Sequence, residues 1–247
     1  MSSAVREKLE KKVAIVTGGG KGYGRGIAAA LKKKRAEVWI TGRNEENLQK
    51  AAEQMGVYYF KADVTSAKDW EALFKKVNEK HKRVDVLINN AGAGIRVAPA
   101  NKQSEKEIRR SIEVNLIGAI LGCRQAAEIM KKQNSGIIVN ISSVCAVEAW
   151  PEWSVYSAAK AGLLQFSRCL YTELRPFGVR VSCLLPSWGA TDFVTAAGLK
   201  DFSPATKLRC IHPEQLGEMV ASLCELPHHL CVESLILWPM VQEVVPL

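Results

Sequence analysis

Short runs rich in valine and isoleucine recur along the chain, and longer amphipathic stretches separate them. Most runs are continuously apolar, which is typical of strands buried on both faces of a parallel sheet. The runs are Val13–Thr17, Val38–Thr41, Val57–Phe60, Val84–Ile88, Ile137–Ile141, Val179–Leu185 and Leu235–Trp238. Helical patterns lie near residues 23–35, 45–55, 67–81, 104–133, 154–175 and 213–226. This alternation predicts an α/β fold, a three-layer, doubly wound parallel sheet of about seven strands flanked by helices.

The bulk composition narrows the class of protein. The 247 residues contain no repeat or Pro/Gly-rich linker, so we expect a single domain over residues 1–247. No apolar run has the roughly 18 residues of a membrane span, and the charged amino-terminal segment does not resemble a secretory signal. We therefore expect a cytoplasmic protein without a membrane partner. The seven cysteines form no C-x-x-C pair, which favours free thiols, and no Cys/His cluster indicates a metal site.

The formal net charge of +9 admits two interpretations. A basic surface can attract nucleic acid or an acidic protein. The alternative, which we favour, is that the lysines and arginines lie on solvated helix faces, several of them near helix ends where the macrodipole favours cations. No recognised nucleic-acid-binding module accompanies the charge, so we expect no nucleic-acid partner.

A glycine-rich segment, Thr17-Gly-Gly-Gly-Lys-Gly-Tyr-Gly24, connects the first predicted strand to the first predicted helix. Glycines allow a sharp turn and the close approach of a diphosphate, and the helix amino terminus directs N–H groups at it. A triphosphate-binding loop would need Ser or Thr after Gly-Lys, whereas Gly22 follows Lys21 here. The segment predicts a dinucleotide site that includes Gly18, Lys21, Gly22, Tyr23 and Gly24.

The end of the second predicted strand indicates which dinucleotide. NAD sites usually carry an acidic residue there, but this chain has Gly42 followed by Arg43. Arg43, together with Lys21, offers positive charge for a 2′-phosphate, which favours NADP(H) as the cofactor. The alternative is that both are ordinary surface cations.

Three polar residues beyond the fifth predicted strand suggest acid/base chemistry. Tyr156 follows Ser143 by thirteen positions, and Lys160 follows Tyr156 by four, which places Tyr156 and Lys160 on one helix face. A phenol is a poor base at neutral pH, but a nearby ammonium lowers its pKa. A serine hydroxyl can hydrogen-bond the substrate oxygen where charge develops.

Taken together, these motifs make the chain resemble the short-chain dehydrogenase/reductase family in its branch of roughly 250 residues, which has a Rossmann-type fold. The matching segments occur in family order over almost the whole chain. They are TGxxxGxG at 17–24, Asp63-Val64, Asn89-Asn90-Ala91-Gly92, Asn115, Ser143, Tyr156-x-x-x-Lys160 and the segment from Pro186 through Thr191.

The resemblance implies further cofactor contacts. Asp63 and Val64 would hold the adenine, and Asn90 would line the cofactor cleft. Lys160 would bind the nicotinamide ribose, and Thr191 would bind the carboxamide. The residues taken alone would favour an ordinary turn hydrogen bond for Asp63.

The resemblance also implies a catalytic set of Asn115, Ser143, Tyr156 and Lys160. Asn115 would hold a water in a proton relay to Lys160, although a helix hydrogen bond is the simpler explanation of Asn115 alone. We expect an NADP-dependent enzyme that interconverts a carbonyl and a secondary alcohol, with Tyr156 as the acid/base. Relatives are dimers or tetramers, so a homo-oligomer, with a homotetramer foremost, is expected through the helices at 104–133 and 154–175.

Two alternative functions remain at this point. One is a 3-oxoacyl thioester reductase, whose acidic carrier protein would suit the net charge and the pair Lys131-Lys132. The other is a non-catalytic dinucleotide-binding sensor or scaffold, against which the intact catalytic set speaks.

Several residues depart from the family pattern or flank the catalytic ones. Tyr23 replaces a small aliphatic residue, and Ser187 replaces a glycine after Pro186. The tail carries Pro239-x-x-Gln242, which resembles the tails of a sub-branch that acts on 3-hydroxy acids and other small alcohols. A tryptophan group would form an aromatic wall for an apolar substrate or else pack loops or a subunit interface; it comprises Trp150, Trp153 and Trp188. Cys145 either lines the pocket or is a buried, inert thiol, and we favour the thiol.

Overall fold

The computed structural model describes residues 7–92 and 96–243. Its strands are β1 (Val13–Thr17), β2 (Glu37–Gly42), β3 (Tyr58–Lys61), β4 (Val86–Asn89), β5 (Gly136–Ile141), β6 (Val179–Pro186) and β7 (Ser234–Leu237). Within the described residues these seven strands form one sheet in the order β3-β2-β1-β4-β5-β6-β7. Every neighbouring pair is parallel. The predicted doubly wound parallel sheet is confirmed.

The helices are α1 (Gly22–Lys33), α2 (Glu45–Met55), α3 (Ala67–His81), α4 (Glu105–Ile112), α5 (Gly118–Gln133), α6 (Ser154–Leu174), α7 (Phe193–Ala196), α8 (Pro204–Lys207) and α9 (Pro213–Cys224). In the part of the chain covered by the structure, no helix has both the length and the apolar character that crossing a membrane requires.

The sheet is the middle of three layers. One apolar core joins α1, α2 and α9 to alternate strand residues such as Val16 and Ile40. A second core joins α3, α5 and α6 to the opposite face, through residues such as Ile15 and Ile138. Burial on both faces explains why the central strands are continuously apolar. The edge strand β3 instead alternates between half-buried and exposed positions.

The strand order reverses between β1 and β4, because the chain winds outward in one direction through β2 and β3 and in the other through β5, β6 and β7. In such sheets a crevice opens at this point beyond the carboxyl ends of the strands. The glycine-rich turn follows β1, and Asn90 follows β4. Ser143 follows β5 along the same edge of the sheet.

The long helical pattern at 104–133 is not one continuous α-helix. Helix α4 starts with a capping box between Ser104 and Glu107, and a π-helical segment, Glu113–Ile117, separates it from α5. Such one-turn π segments recur at functional sites because they redirect side chains locally. The segment contains Asn115.

Candidate active site

The turn between β1 and α1 is so tight that it requires glycine. Gly18 has a φ of +66°, and a Cβ on Gly24 would lie 2.2 Å from the Gly18 carbonyl oxygen. The Gly18 N–H donates to the Thr41 carbonyl oxygen at 2.8 Å, which fixes the turn against the end of β2. Because α1 begins at Gly22, the first N–H groups of the helix belong to this turn.

The outer side of the turn offers a cradle for a diphosphate. A Cβ added to Gly20 would lie 3.7 Å from its nearest neighbour, Leu48 Cδ2. A Cβ added to Gly22 would lie 3.5 Å from its nearest neighbour, Thr191 Cγ2. Open space, glycines and a helix amino terminus suit an anionic group. These residues therefore fit the diphosphate of a dinucleotide, with Thr191 on the opposite wall.

Asn90 fastens the turn from beneath. Its side-chain Nδ2 donates to the Thr17 carbonyl oxygen at 2.9 Å. The Thr17 hydroxyl in turn accepts the N–H groups of Asn90, at 3.0 Å, and of Ala91, at 2.9 Å. Asn90 thus holds the ends of β1 and β4 together under the cradle. Thr17 shares this task, for which its place at the start of the glycine motif was the only signal in the sequence.

The two cations predicted for a 2′-phosphate lie in different surroundings. Arg43 is exposed just beyond β2 and makes no ion pair with any residue described in the structure. Lys21 places its Nζ 3.5 Å from a carboxylate oxygen of Asp192, with both side chains largely exposed. An exposed pair of this kind is weak. It nevertheless connects the glycine turn to the segment that follows β6.

Asp63 and Val64 lie beyond β3. The Asp63 carboxylate accepts hydrogen bonds from the Thr65 N–H, at 2.9 Å, and the Thr65 hydroxyl, at 2.8 Å, and from Arg110 at 3.3 Å. Burial alone would raise the pKa of Asp63, but these bonds and the Arg110 charge leave it below its usual value. The turn hydrogen bond considered for Asp63 is present, and Arg110 adds a contact for which the sequence held no signal. Val64 packs against Gly118, where a Cβ would lie 2.9 Å from Val64 Cγ2.

Ser143, Tyr156 and Lys160 meet beyond the end of β5. The Ser143 hydroxyl accepts the Cys145 N–H at 3.2 Å and is near enough to the Tyr156 phenol to lower the pKa of that phenol. The Lys160 Nζ lies 5.6 Å from the centre of the Tyr156 ring and donates to the Ile141 carbonyl oxygen at 2.9 Å. Tyr156 is 5 % and Lys160 4 % exposed. Helix α6 therefore presents both side chains to a largely dry site, as their i, i+4 spacing predicts.

Burial dominates the protonation of this group. It raises the pKa of the Tyr156 phenol, with a smaller contribution from nearby Cys145, while the nearby Ser143 hydroxyl opposes the rise. It lowers the pKa of Lys160 to about 8. The expected depression of the Tyr156 pKa by Lys160 is wrong, since burial raises this pKa. The physical reason is that desolvation outweighs a cation that lies over the ring face and is held by Ile141.

Asn115 and Lys160 converge on Gly92. A Cβ on Gly92 would lie 3.1 Å from Asn115 Oδ1 and 3.8 Å from Lys160 Nζ. Asn115 Nδ2 also donates to the Ser111 carbonyl oxygen at 3.0 Å, across the start of the π-helical segment. The helix hydrogen bond considered for Asn115 is present, and the segment brings its amide oxygen toward the catalytic lysine.

Aromatic rings cover the Tyr156 phenol. Trp153 and Phe193 each lie 5.6 Å from the Tyr156 ring, and Trp150 joins the same apolar cluster. Phe193 begins α7, and nothing in its sequence context indicated this contact. Trp188 instead packs 4.8 Å from Phe202. The group of tryptophans is therefore divided, with two at the phenol and one on the neighbouring segment.

Cys145 also belongs to the cluster around Tyr156 and is 7 % exposed. Burial raises the pKa of its thiol, which keeps it protonated. All seven cysteines are free.

The carboxyl-terminal tail supports the segment after β6. The Gln242 side-chain oxygen accepts hydrogen bonds from the Ser187 hydroxyl and from the Trp188 N–H, the latter at 3.2 Å. The serine that replaces the family's glycine thus has a partner of its own in the tail. These bonds couple Gln242 to the start of the segment that carries Thr191.

The comparisons with known proteins agree with this geometry. The family model for short chain dehydrogenases matches residues 12–201. An uncharacterized oxidoreductase of Staphylococcus aureus (strain USA300) is 31 % identical over 235 residues, covering 94 % of this chain and 99 % of the relative.

Two solved structures have a similar fold. An alcohol dehydrogenase from the archaeon Thermococcus sibiricus, complexed with 5-hydroxy-NADP, has a TM-score of 0.85 at 30 % identity and covers 94 % of this chain and 98 % of its own. A 3-ketoacyl-(acyl-carrier-protein) reductase from Brucella melitensis, complexed with NADH, has a TM-score of 0.85 at 29 % identity and covers 92 % and 97 %. Fold, family model and relatives agree: the chain belongs to the short-chain dehydrogenase/reductase family and is an NAD(P)-dependent oxidoreductase.

Proposed function

We propose that this enzyme uses NADP(H) to interconvert an uncharged, apolar carbonyl compound and the corresponding secondary alcohol, with Tyr156 as the general acid/base. The observation that carries the proposal is the buried contact of Ser143, Tyr156 and Lys160 beside the glycine turn. A non-catalytic dinucleotide-binding protein would have no need to keep an ammonium and a phenol together in a dry site, where both cost free energy.

In the reduction direction the roles follow from the protonation states. A phenol with a raised pKa holds its proton at neutral pH and can donate it to the carbonyl oxygen as negative charge develops there. Ser143, which lies near the phenol, polarises the same oxygen. Lys160 supplies positive charge that favours the phenolate left behind. The nicotinamide, when bound, supplies the hydride in reduction or accepts it in oxidation.

Several groups would hold the coenzyme. The glycine turn and the start of α1 would bind the diphosphate, Asp63 and Val64 would flank the adenine, and Thr191 would contact the carboxamide end. For NADP(H) over NAD(H), the support comes from Arg43, an exposed cation free of ion pairs within the described residues, next to a position without a carboxylate. The similar Thermococcus enzyme was solved with an NADP derivative, whereas the Brucella enzyme was solved with NADH.

The substrate class follows from what surrounds the phenol. Trp150, Trp153, Phe193 and Cys145 form an apolar cluster on Tyr156. Removal of apolar substrate surface from water into such a site is favourable, whereas a carboxylate there would lose its hydration beside a Lys160 ammonium that already donates to the Ile141 carbonyl oxygen. We therefore favour aryl or alkyl ketones, aldehydes and the matching alcohols over hydroxy acids.

The thioester alternative loses the support of the lysine pair at the end of α5. Lys131 and Lys132 end α5 just before β5 begins, whereas Ser143 lies beyond the opposite end of that strand. The six residues of β5 span about 20 Å at roughly 3.3 Å per residue. Lys131 moreover lies over the Phe177 ring at 4.4 Å. The pair is thus not placed to hold an acidic carrier at Tyr156.

The first test is Tyr156→Phe, assayed by NADPH oxidation over ketones, 3-oxo acids and oxoacyl thioesters. Loss of the acid should lower turnover by roughly 10²–10⁴-fold while NADPH binding, measured by fluorescence, changes little. Tyr171→Phe is the matched control. Tyr171 lies on the same helix but packs against the core formed with α3 and α5, away from the cluster around Tyr156, so the variant should retain activity. Turnover of Tyr156→Phe near the wild-type rate would refute the assignment of the acid.

The second test addresses the cofactor. Arg43→Ala should lower kcat/KM for NADPH by roughly 10–100-fold, the value of one charge-assisted hydrogen bond, and leave kcat/KM for NADH unchanged. Arg109→Ala is the control, because Arg109 is an exposed arginine paired with Glu105. Faster turnover of the wild-type enzyme with NADH than with NADPH at equal concentrations would overturn the NADP preference.

A further inference from the structure

Tyr23 has a buried hydroxyl that lacks a hydrogen-bond partner among the residues the structure describes. The residue lies between Gly22 and Gly24, at the start of α1. Its ring packs against the core that includes α1 and α9. A buried hydroxyl without a partner is unfavourable, and phenylalanine would fill the same space without that cost. The hydroxyl therefore indicates a task that the ring alone does not perform.

The hydroxyl points at the segment that follows β6. A Cβ on Gly189 would lie only 2.3 Å from the Tyr23 hydroxyl oxygen, so the phenol rests on the bare backbone of that glycine. Thr191, two residues further on, lies across the cleft from Gly22. Tyr23 is also close enough to Tyr156 for a charge on one phenol to affect the other. The Tyr23 hydroxyl thus lies against the Gly189 backbone of the post-β6 segment, within electrostatic range of Cys210 and of the catalytic phenol.

This location is where the nicotinamide end of a dinucleotide has to pass. If the diphosphate rests on the turn at Gly22, the hydride-carrying ring must reach from there to Tyr156. A carboxamide offers both N–H donors and a carbonyl acceptor, and a phenol hydroxyl can act as donor or acceptor. The missing partner of Tyr23 and the polar end of the nicotinamide are therefore complementary in chemistry.

We infer that Tyr23 is a positioning residue whose hydroxyl hydrogen-bonds the nicotinamide carboxamide and holds that end of the coenzyme against the Gly189 segment. The inference rests on the proposed dinucleotide site but not on the choice between NADP and NAD. It assigns a role to the chain's departure from the small aliphatic residue of related turns. This arrangement also requires glycine at position 189, because any side chain there would displace the Tyr23 phenol.

The test is Tyr23→Phe, which keeps the ring and removes only the hydroxyl. Binding of NADPH and of 2′-phospho-ADP-ribose, which lacks nicotinamide, is measured by protein fluorescence or calorimetry, with NADH and ADP-ribose as a parallel pair. We expect the variant to bind the complete coenzyme roughly tenfold more weakly and the fragment within about twofold of wild type. The melting temperature without ligand should not fall, because the change removes an unpaired buried group. Tyr59→Phe, at an exposed position of β3, is the control and should change none of these values.

Each other outcome contradicts a specific statement. Unchanged affinity of Tyr23→Phe for the complete coenzyme overturns the inference, and so does equal weakening of coenzyme and fragment, which would mean a distorted turn. A wild-type protein that binds neither pair of ligands would instead refute the proposed dinucleotide site itself.

Discussion

At the residue scale, burial is the main cause of the pKa shifts of both Tyr156 and Lys160. Desolvation disfavours the charged form of each group, so it raises the pKa of the phenol and lowers that of the amine to about 8. Near neutral pH the phenol is protonated, and Lys160 carries its charge in a place that resists it. The pair is therefore ready to donate a proton, at the cost of a buried cation.

This cost predicts a pH dependence of stability. The folded-state pKa of Lys160, about 8, is below the ordinary value of 10.5, so between these values the unfolded chain binds more protons than the folded one. Lys160 should therefore make the free energy of unfolding rise as pH increases from 8 toward 10.5, by on the order of 3 kcal/mol over the whole window. Below pH 8 both states are protonated and this dependence disappears.

Urea unfolding of the wild type and of Lys160→Met between pH 7 and 10 checks this expectation. Taking the difference between the two proteins cancels the titration of thiols remote from Lys160, such as Cys123 and Cys224. Burial raises the pKa of Cys145 and Cys183 and the Lys160 charge opposes that rise, so loss of this charge changes their titration in the same direction as the expected difference. The wild type should gain stability relative to Lys160→Met as pH rises. A difference that stays constant or shrinks would contradict the lowered pKa of Lys160.

At the element scale, the β1–α1 turn sets the geometry of the site. Gly18 requires a left-handed backbone, and Gly24 allows the start of α1 to touch the turn's own backbone. Asn90 and Thr17 fasten this arrangement to the loop after β4. The π-helical segment at Glu113–Ile117 has a similar local effect, because it places the Asn115 amide beside Gly92.

Alanine substitution at two glycines of the same turn should affect the free energy of unfolding to different extents. Gly24→Ala would place a Cβ 2.2 Å from the Gly18 carbonyl oxygen, so backbone must move. We expect a loss of roughly 1–3 kcal/mol of unfolding free energy together with weakened coenzyme binding. Gly20→Ala is the matched control, since its Cβ would meet nothing within 3.7 Å, and its stability should change by less than about 1 kcal/mol.

Thermal or urea unfolding of the two alanine variants, followed by coenzyme titration, separates these cases. Equal stability of Gly24→Ala and Gly20→Ala would show that the close contact between Gly24 and Gly18 does not constrain the turn.

At the scale of the whole molecule, the carboxyl ends and the amino ends of the strands carry different kinds of residues. The carboxyl ends of the strands carry the glycine turn, Ser143 and the Gly189 segment. The amino ends carry Lys131 and Lys132. Much of the basic charge is also engaged locally, as where Lys34 pairs with Glu225 at 2.9 Å and Arg35 with Glu10 at 2.9 Å. The net charge of +9 therefore does not by itself describe the surface that a substrate meets.

This separation predicts how oxoacyl thioesters behave as substrates. Because Lys131 and Lys132 lie too far from Tyr156 to steer an acidic carrier to it, kcat/KM for a carrier-protein thioester should stay within roughly threefold of that for the same acyl group on a short pantetheine analogue at low salt. Aryl ketones should exceed both. A tenfold or larger preference for the carrier that disappears at high salt would restore the acyl-carrier-protein reductase hypothesis.

The sequence by itself determined the sheet and its winding, because continuous apolar runs, glycines at fixed spacing and the i, i+4 pair Tyr156/Lys160 reflect local periodicity and backbone sterics. It did not contain the break at 113–117, since the apolar pattern there continues without interruption. Phe193 and Arg110 were likewise invisible as site residues, because their partners are distant along the chain.

Only the tertiary structure decided whether the pKa values of Tyr156 and Lys160 are raised or lowered. The spacing of the pair predicts attraction between the phenolate and the ammonium, but desolvation depends on how many other elements bury them. Folding also decided that Tyr23 meets Gly189 and that Lys131 and Lys132 lie far from the catalytic phenol. Such contacts depend on which strand ends lie side by side, and that property belongs to the assembled sheet rather than to any one segment.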